Sequence, residues 1–341
     1  MKALLDMTLP ELREAMAALG EKPFRAAQVY RWLMECAPFE EMSNLPKALR
    51  ETLRRTFREG YPDVVERLTS ADGTRKYLLA LWDGNIIESV VMAYEHGNTA
   101  CISTQAGCAM GCAFCASCKG GLKRNLTAGE MLGQVLTLNR DMGPGRNITN
   151  VVLMGTGEPL ANYENTVRFL RLVNAEESLH ISLRNISVST CGLVPQMLRL
   201  AEEGLPVTLC LSLHAATEEK RRQIMPIAAK YGLGETIEAL GQYQQASGRR
   251  VIAEYILLHG FNDGEADADA LEGLLRGMKC HVNLIPYNSI GEGAFQSPSK
   301  KDIYGFLGKL EQRGLSATVR RSLGQDIAGA CGQLRARYMR G

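Results

Sequence analysis

CISTQAGCAMGCAFCASCKGG, residues 101–121, packs five cysteines into eighteen positions of a chain that has ten in all. Cys108, Cys112 and Cys115 form the pattern C-x3-C-x2-C, a spacing that lets three thiolates of one short loop grip a single iron–sulfur cluster. Such clusters ordinarily take four cysteines, so three leave one iron open to a substrate or cofactor. The competing reading is zinc, with Cys118 as fourth ligand of a tight loop. Zinc sites usually pair two knuckles well apart in sequence, which weighs against it.

Outward from this loop the pattern is of strands alternating with helices. Strands are expected at 99–104, 149–154, 185–190, 207–213, 251–258 and 281–286, with a late one at 316–320. Helices are expected between most of them, at 127–140, 162–174, 193–203, 234–247, 265–277 and 299–313. Six or so βα units imply a parallel sheet covered by helices, either an open doubly wound sheet or a full or partial barrel. No GxGxxG follows the first strand, which disfavours a dinucleotide fold. Upstream, LPELREAMAAL, FRAAQVYRWLM and LPKALRETLRRTF carry helical periodicity, and TRKYLLALWDGNIIESVVM reads as a hairpin turning at Asp83-Gly84. A boundary near residue 95 divides a helical accessory domain with its hairpin (1–95) from an α/β core (96–341).

An apolar fraction of 45% suffices for a packed core, and no apolar run approaches the roughly 20 residues of a membrane span. The N-terminus lacks the features of a secretory signal, so the chain is expected in the cytoplasm, where clustered cysteines serve as metal ligands or redox catalysts. Net charge is only +2, but residues 300–341 hold nine Lys/Arg against three Asp/Glu, and Lys119, Lys123 and Arg124 follow the cysteines. Such runs are solvated surface by default and phosphate-binding faces when they border a reactive site.

In parallel α/β folds ligands sit at the carboxyl ends of the strands. There the sequence places the cysteines, then GTGEPL (155–160), Ser189 to Gly192, Ser212-Leu213-His214, and Pro286-Tyr287-Asn288. Cys36, Cys191, Cys210 and Cys280 read as small buried hydrophobes.

The stretches GEKPFRAAQVYRWL, NLPKALR, DGTRKYLL, CISTQAGCAMGCAFCAS, GLKRNLTAGE, LMGTGEPLANY, SVSTCGLVP, SLHAATEEKRRQIMPI, GRRVIAEYILL, KCHVNLIPYN and ATVRRSLGQDIAGACGQL are similar to the RlmN/Cfr family of radical S-adenosylmethionine (SAM) RNA methyltransferases. The resemblance covers essentially the whole chain. It implies an α/β fold, a partial (β/α)6 TIM-like radical SAM barrel, with a small helical N-terminal accessory domain and β-hairpin.

It also implies roles. Cys108, Cys112 and Cys115 would hold one [4Fe-4S] cluster, and Gly157, Glu158, Ser189, Ser212, Leu213, His214 and Asn288 would contact SAM, of which two are used per turnover. Cys331 would carry a methyl group, Cys101 would resolve the product through a transient disulfide, and Glu88 would take the proton from the base. Both working thiols need neighbouring cations, for which Arg320, Arg321 and Lys119 are candidates. The ring carbons of adenine are electron-poor and cannot attack SAM as nucleophiles, which is why a radical route is needed. The implied substrates are 23S rRNA and tRNA, modified at adenine carbon 2, with a flavodoxin or ferredoxin as electron donor and the chain a monomer. The rivals are carbon 8 of 23S rRNA, the resistance-conferring branch of the family, and a non-catalytic RNA-binding module with a structural metal. Cys118 departs from the family pattern, which has a non-thiol there.

Overall fold

The computed structural model describes the 341-residue chain except for residues 96, 146, 289–294, 322 and 328–341. Two short strands, β1 (Lys2–Ala3) and β2 (Phe57–Arg58), pair in parallel and bracket three helices, α1 (Leu9–Ala18), α2 (Phe24–Met34) and α3 (Lys47–Thr56). Thr8 opens α1 as a reciprocal cap: its Oγ1 accepts from Glu11 N at 3.4 Å, and the Glu11 carboxylate accepts from Thr8 N at 2.7 Å. The buried faces of these helices (Leu12, Met16, Val29, Leu33, Leu49, Leu53) belong to the same continuous core as the strands that follow.

Strands β3 (Asp63–Thr69), β4 (Arg75–Ala80) and β5 (Ile86–Tyr94) form an antiparallel meander, and β5 pairs antiparallel with β6 (Gly97–Cys101). A ribbon of β7 (Gln105–Gly107) and β8 (Leu122–Asn125) comes next, then α4 (Ala128–Met142). The remaining units are β9 (Ile148–Leu153), α5 (Tyr163–Asn174), β10 (Ile186–Thr190), α6 (Val194–Glu202), β11 (Thr208–Ser212), α7 (Glu218–Ile224), α8 (Leu233–Ser247), β12 (Val251–Leu257), α9 (Glu265–Leu275), β13 (Cys280–Pro286), α10 (Lys300–Gln312) and β14 (Ala317–Val319).

The ten-stranded sheet runs β14-β13-β12-β11-β10-β9-β6-β5-β4-β3. From β6 to β14 every neighbouring pair is parallel, the partial barrel of βα units expected from the sequence. The hairpin continues that sheet, with Val90 opposite Cys101, so a boundary near residue 95 falls inside one hydrogen-bonded sheet. A parallel sheet needs both faces covered. Helices of the βα units supply such cover, and the N-terminal layer packs on one of them, approaching α4 so closely that Gly129 N donates to Asp6 Oδ1 at 2.7 Å and a Cβ at Gly129 would stand 2.6 Å from Asp6 N.

Candidate active site

The cysteine loop is pinned at its base. Gly107 ends β7 with φ +82°, and a Cβ there would lie 2.0 Å from Gly121 O, so only glycine lets the two sides of the ribbon close. Closing it places Cys108, Cys112, Cys115 and Cys118 on one wall of a cavity of ≈ 320 Å³. Crowding by the other three thiols holds Cys118 below the ordinary range. Cys108 and Cys112 are held above it, first by the nearness of Cys118 and then by burial. Among the described residues no set of three or more His, Cys, Asp or Glu encloses a position for a single metal ion. Arg124, which follows the loop, is taken up by ion pairs to Asp83 (2.5 Å) and Glu130 (2.7 Å) and is not free for phosphate.

The opposite wall is assembled from the carboxyl ends of the parallel strands. After β9, Gly157 takes φ +118°, and a Cβ would meet Gln105 Cβ and Thr104 Oγ1 at 2.7 Å, so the GTGEP turn lies flat against the segment after β6. This turn delivers Glu158 to the cavity, with one carboxylate oxygen accepting from Leu160 N (3.0 Å) and the other from Cys191 N (2.8 Å). Burial pushes its carboxyl up, while those backbone donors oppose the shift. Ser189 on β10 and Ser212 on β11 place their hydroxyls 3.5 Å apart on the wall, and Asn288 lies just past β13.

His214 follows β11 in a left-handed backbone, φ +58°, a conformation that costs a non-glycine residue about 1–2 kcal/mol. The position is fixed by a set of bonds: Ile256 N donates to Nδ1 at 3.1 Å, Asn262 Nδ2 donates to the carbonyl at 2.8 Å, and the ring meets Phe114 edge-on at 4.7 Å. With Nδ1 accepting, the proton of the neutral ring sits on Nε2. Burial, reinforced by the Arg221 charge, lowers the imidazole to about 3, so the ring is a neutral donor at ordinary pH.

Leu213 is fully buried and does not line the cavity; its backbone joins β11 to β12 through Leu213 N donating to Glu254 O at 3.0 Å. Glu88 shares the face of β5 that presents Val90 and Met92 to the cavity, by strand alternation, and forms a buried ion pair with Lys76 at 3.5 Å. Glu88 itself is not among the residues lining the cavity. Cys101 is buried and packs with Val90, Met92 and Leu323 in a small apolar cluster beside the cavity. Cys331 lies outside the described residues. Arg320 and Arg321 border the cavity, as the sequence suggested for cations near a reactive thiol.

Two groups escaped the sequence reading. Glu254 lines the cavity from β12, its carboxyl raised by burial, with Asn283 Nδ2 donating to both oxygens (2.9 and 3.2 Å). Its signal was a lone acid inside the apolar run VIAEYILL. Arg221 on α7 is completely buried and donates to the carbonyls of Cys191 (2.7 Å), Leu213 (3.3 Å) and Ser212 (3.4 Å), tying the ends of β10 and β11 together. It sits in a run of charges, KRR, that gave no hint of burial.

Residues 102–271 match the model of the radical SAM superfamily, and residues 2–58 match that of the ribosomal RNA large subunit methyltransferase N-terminal domain. A relative from Clostridium perfringens (strain 13), named "Probable dual-specificity RNA methyltransferase RlmN", is 52% identical over 343 residues, covering 100% of this chain and 98% of its own. One of the same name from Alkaliphilus oremlandii is 49% identical, covering 98% of each. The crystal structure of a radical SAM methyltransferase from Sphaerobacter thermophilus has a TM-score of 0.94 at 45% identity and covers 98% of this chain. A radical SAM domain works with a [4Fe-4S] cluster and SAM. The donor set here fits both, with soft thiols on one wall and, facing them, a buried carboxylate, two hydroxyls and a neutral imidazole donor suited to amine, carboxylate and ribose groups. The chain is an enzyme and belongs to the RlmN family of radical SAM methyltransferases.

Proposed function

We propose that this enzyme methylates carbon 2 of an adenosine in 23S rRNA and in tRNA. Cys108, Cys112 and Cys115 hold one [4Fe-4S] cluster. Bound there, the cluster and SAM supply one-electron chemistry at carbon, which an electron-poor ring requires. The remaining roles fall to the chain. Glu158 receives the amino group of SAM, Ser189, Ser212 and Asn288 its polar groups, and His214 Nε2 donates to an acceptor on it. Cys331 carries the methyl carbon and Cys101 releases the product by forming a disulfide with it, two SAM being used per methyl installed. Glu88 takes the proton leaving the base, for which its side chain, held by Lys76 behind the cavity wall, turns into the cavity when RNA binds. Residues 1–95 and the basic C-terminal segment grip structured RNA, from which the adenosine is extruded into the cavity. The electron donor is of flavodoxin or ferredoxin type, and the enzyme works as a cytoplasmic monomer.

The observation that carries the reading is the packing of Leu323 against the Cys101 cluster. Position 331 is eight residues further on, and eight residues reach at most about 27 Å, so a thiol there has the reach to meet both Cys101 and the cavity.

The test supplies reduced flavodoxin, SAM and a 23S rRNA fragment, and maps the modified nucleotide by mass spectrometry. Methylation at adenine carbon 2, with a methyl group on Cys331 of the purified protein, is expected. Methylation at carbon 8, or an unmethylated Cys331 in active enzyme, overturns the proposal.

A further inference from the structure

The amino ends of the parallel strands carry a second cavity, of ≈ 500 Å³, with the opposite character. Its lining includes Arg184 before β10, Arg249 and Arg250 before β12, and Lys279 before β13, with the hydroxyls of Ser187 and Thr208, and no Asp or Glu among the described residues. Among the described residues no carboxylate forms an ion pair with any of these four cations.

The cleft is braced. Gly248 ends α8 in a left-handed turn (φ +64°), and Arg249 Nη2 donates to Arg184 O and to Thr208 Oγ1, both at 3.0 Å. This bridges the entrances of three strands with one guanidinium. Arg249 Nε is buried and has no acceptor among the described residues, a donor left over beside an Nη2 that already makes two hydrogen bonds. Lys279 is held by its backbone, its N–H donating to Gln244 Oε1 at 2.8 Å. Four cations gathered without a counter-charge raise the local potential on a chain of net charge only +2.

We propose that this cleft binds phosphate groups, in a run along a single-stranded nucleic-acid backbone. Guanidinium forks and hydroxyls are the usual partners of phosphate oxygens. Parallel strands stand about 4.8 Å apart, so the entrances of β10 to β13 span roughly 14 Å. That is wide for one phosphate and suits several in a row. That the backbone belongs to the enzyme's own RNA substrate rests on the methyltransferase reading above; the phosphate chemistry does not.

The probe is fluorescein-labelled dodecauridylate, which has no adenine to react, titrated by anisotropy into the cluster-loaded enzyme at several salt concentrations. Binding through four phosphates gives a log–log salt slope of about −3. The variant Arg184→Gln/Arg250→Gln/Lys279→Gln changes only exposed side chains, leaves the Arg249 bridge in place, and is expected to bind at least tenfold more weakly with a slope shallower by about 2. Equal affinity and slope in the variant, or binding of neither dodecauridylate nor tripolyphosphate by the native enzyme, overturns the proposal. Tripolyphosphate binding that the variant loses, without dodecauridylate binding, keeps the phosphate site and assigns it to a free polyphosphate. Methylation of a minimal RNA hairpin is measured on the same samples: its absence with the salt slope intact defeats only the methyltransferase reading.

Discussion

At the carboxyl ends of the parallel strands the polar groups are buried and locked: Glu158 on two backbone donors, His214 neutral between Ile256 N and Phe114, Arg221 spread over three carbonyls. At the amino ends of the same strands Arg184, Arg250 and Lys279 stand in water, and among the described residues no acid pairs with them. One sheet therefore separates two kinds of electrostatics. Desolvation makes the first end a place where protonation states are set by the fold, whereas screening leaves the second adjustable by salt. Substitutions at the first end should cost cofactor or stability, and substitutions at the second only binding.

The largest expected effect breaks the cysteine wall. Cys112→Ala should lose the iron and brown absorbance of purified protein and reduce methylation below detection, since two thiolates do not hold the cluster. Cys118→Ala should retain both, and iron loss in that variant would refute the three-ligand assignment.

Next comes Arg221. Arg221→Met removes three buried hydrogen bonds, leaving Leu213 O only its bond from Ala215 N, and should destabilise the protein by about 2–4 kcal/mol in urea titrations. Arg250→Gln at the other end should change stability by less than about 0.5 kcal/mol. Comparable losses in the two variants would erase the distinction between the ends.

His214 sharpens the contrast through pH. Its folded value of about 3 lies below the ordinary 6.5, so the unfolded chain binds more protons in between. Its contribution is thus fully present above pH 6.5 and is lost as pH falls toward 3, at up to about 1.4 kcal/mol per unit. Urea midpoints at pH 7 and 5.5 should differ in the native protein and converge in His214→Asn, which keeps an acceptor near Nδ1 and tolerates the left-handed backbone.

Legibility in the sequence followed the same division. The seven parallel strands could be placed because their apolar runs are short and bounded by turn residues, and the helices between them, except the short and charged α7, because their periodicity is undisturbed. The cavity wall could be read because five of the seven strands carry a polar cluster at the carboxyl end, from the cysteines through Glu158 and His214 to Asn288. What stayed hidden depended on contacts between distant segments. Arg221 and Arg222 are neighbours in KRR, yet one is buried against Cys191 and the other sits outside in an ion pair with Glu218. Likewise nothing local says that Arg184, Arg250 and Lys279 meet, because parallel pairing brings together residues that lie far apart along the chain.

The smallest effect concerns a joint between the hairpin and the segment leading to Cys331. Asp72, in the turn between β3 and β4, accepts from Gly324 N at 2.8 Å, while Asp326 accepts from Ser70 Oγ at 2.5 Å and from Ala71 N at 3.1 Å. The Gly324 amide is the first cause of the lowered Asp72 carboxyl, about 2 against an ordinary 3.8. A depressed acid stabilises above its unfolded value, so the joint is complete above about pH 4 and loosens as pH falls through 2. Asp72 is exposed, and water screens most of this, leaving at most about 1 kcal/mol. Asp72→Ala should therefore leave the global urea midpoint almost unchanged while speeding amide exchange at Gly324. If the joint also orients the following segment, the same variant should lower the fraction of Cys331 found methylated without changing iron content. Unchanged exchange at Gly324 would mean that the turn merely touches the segment and does not hold it.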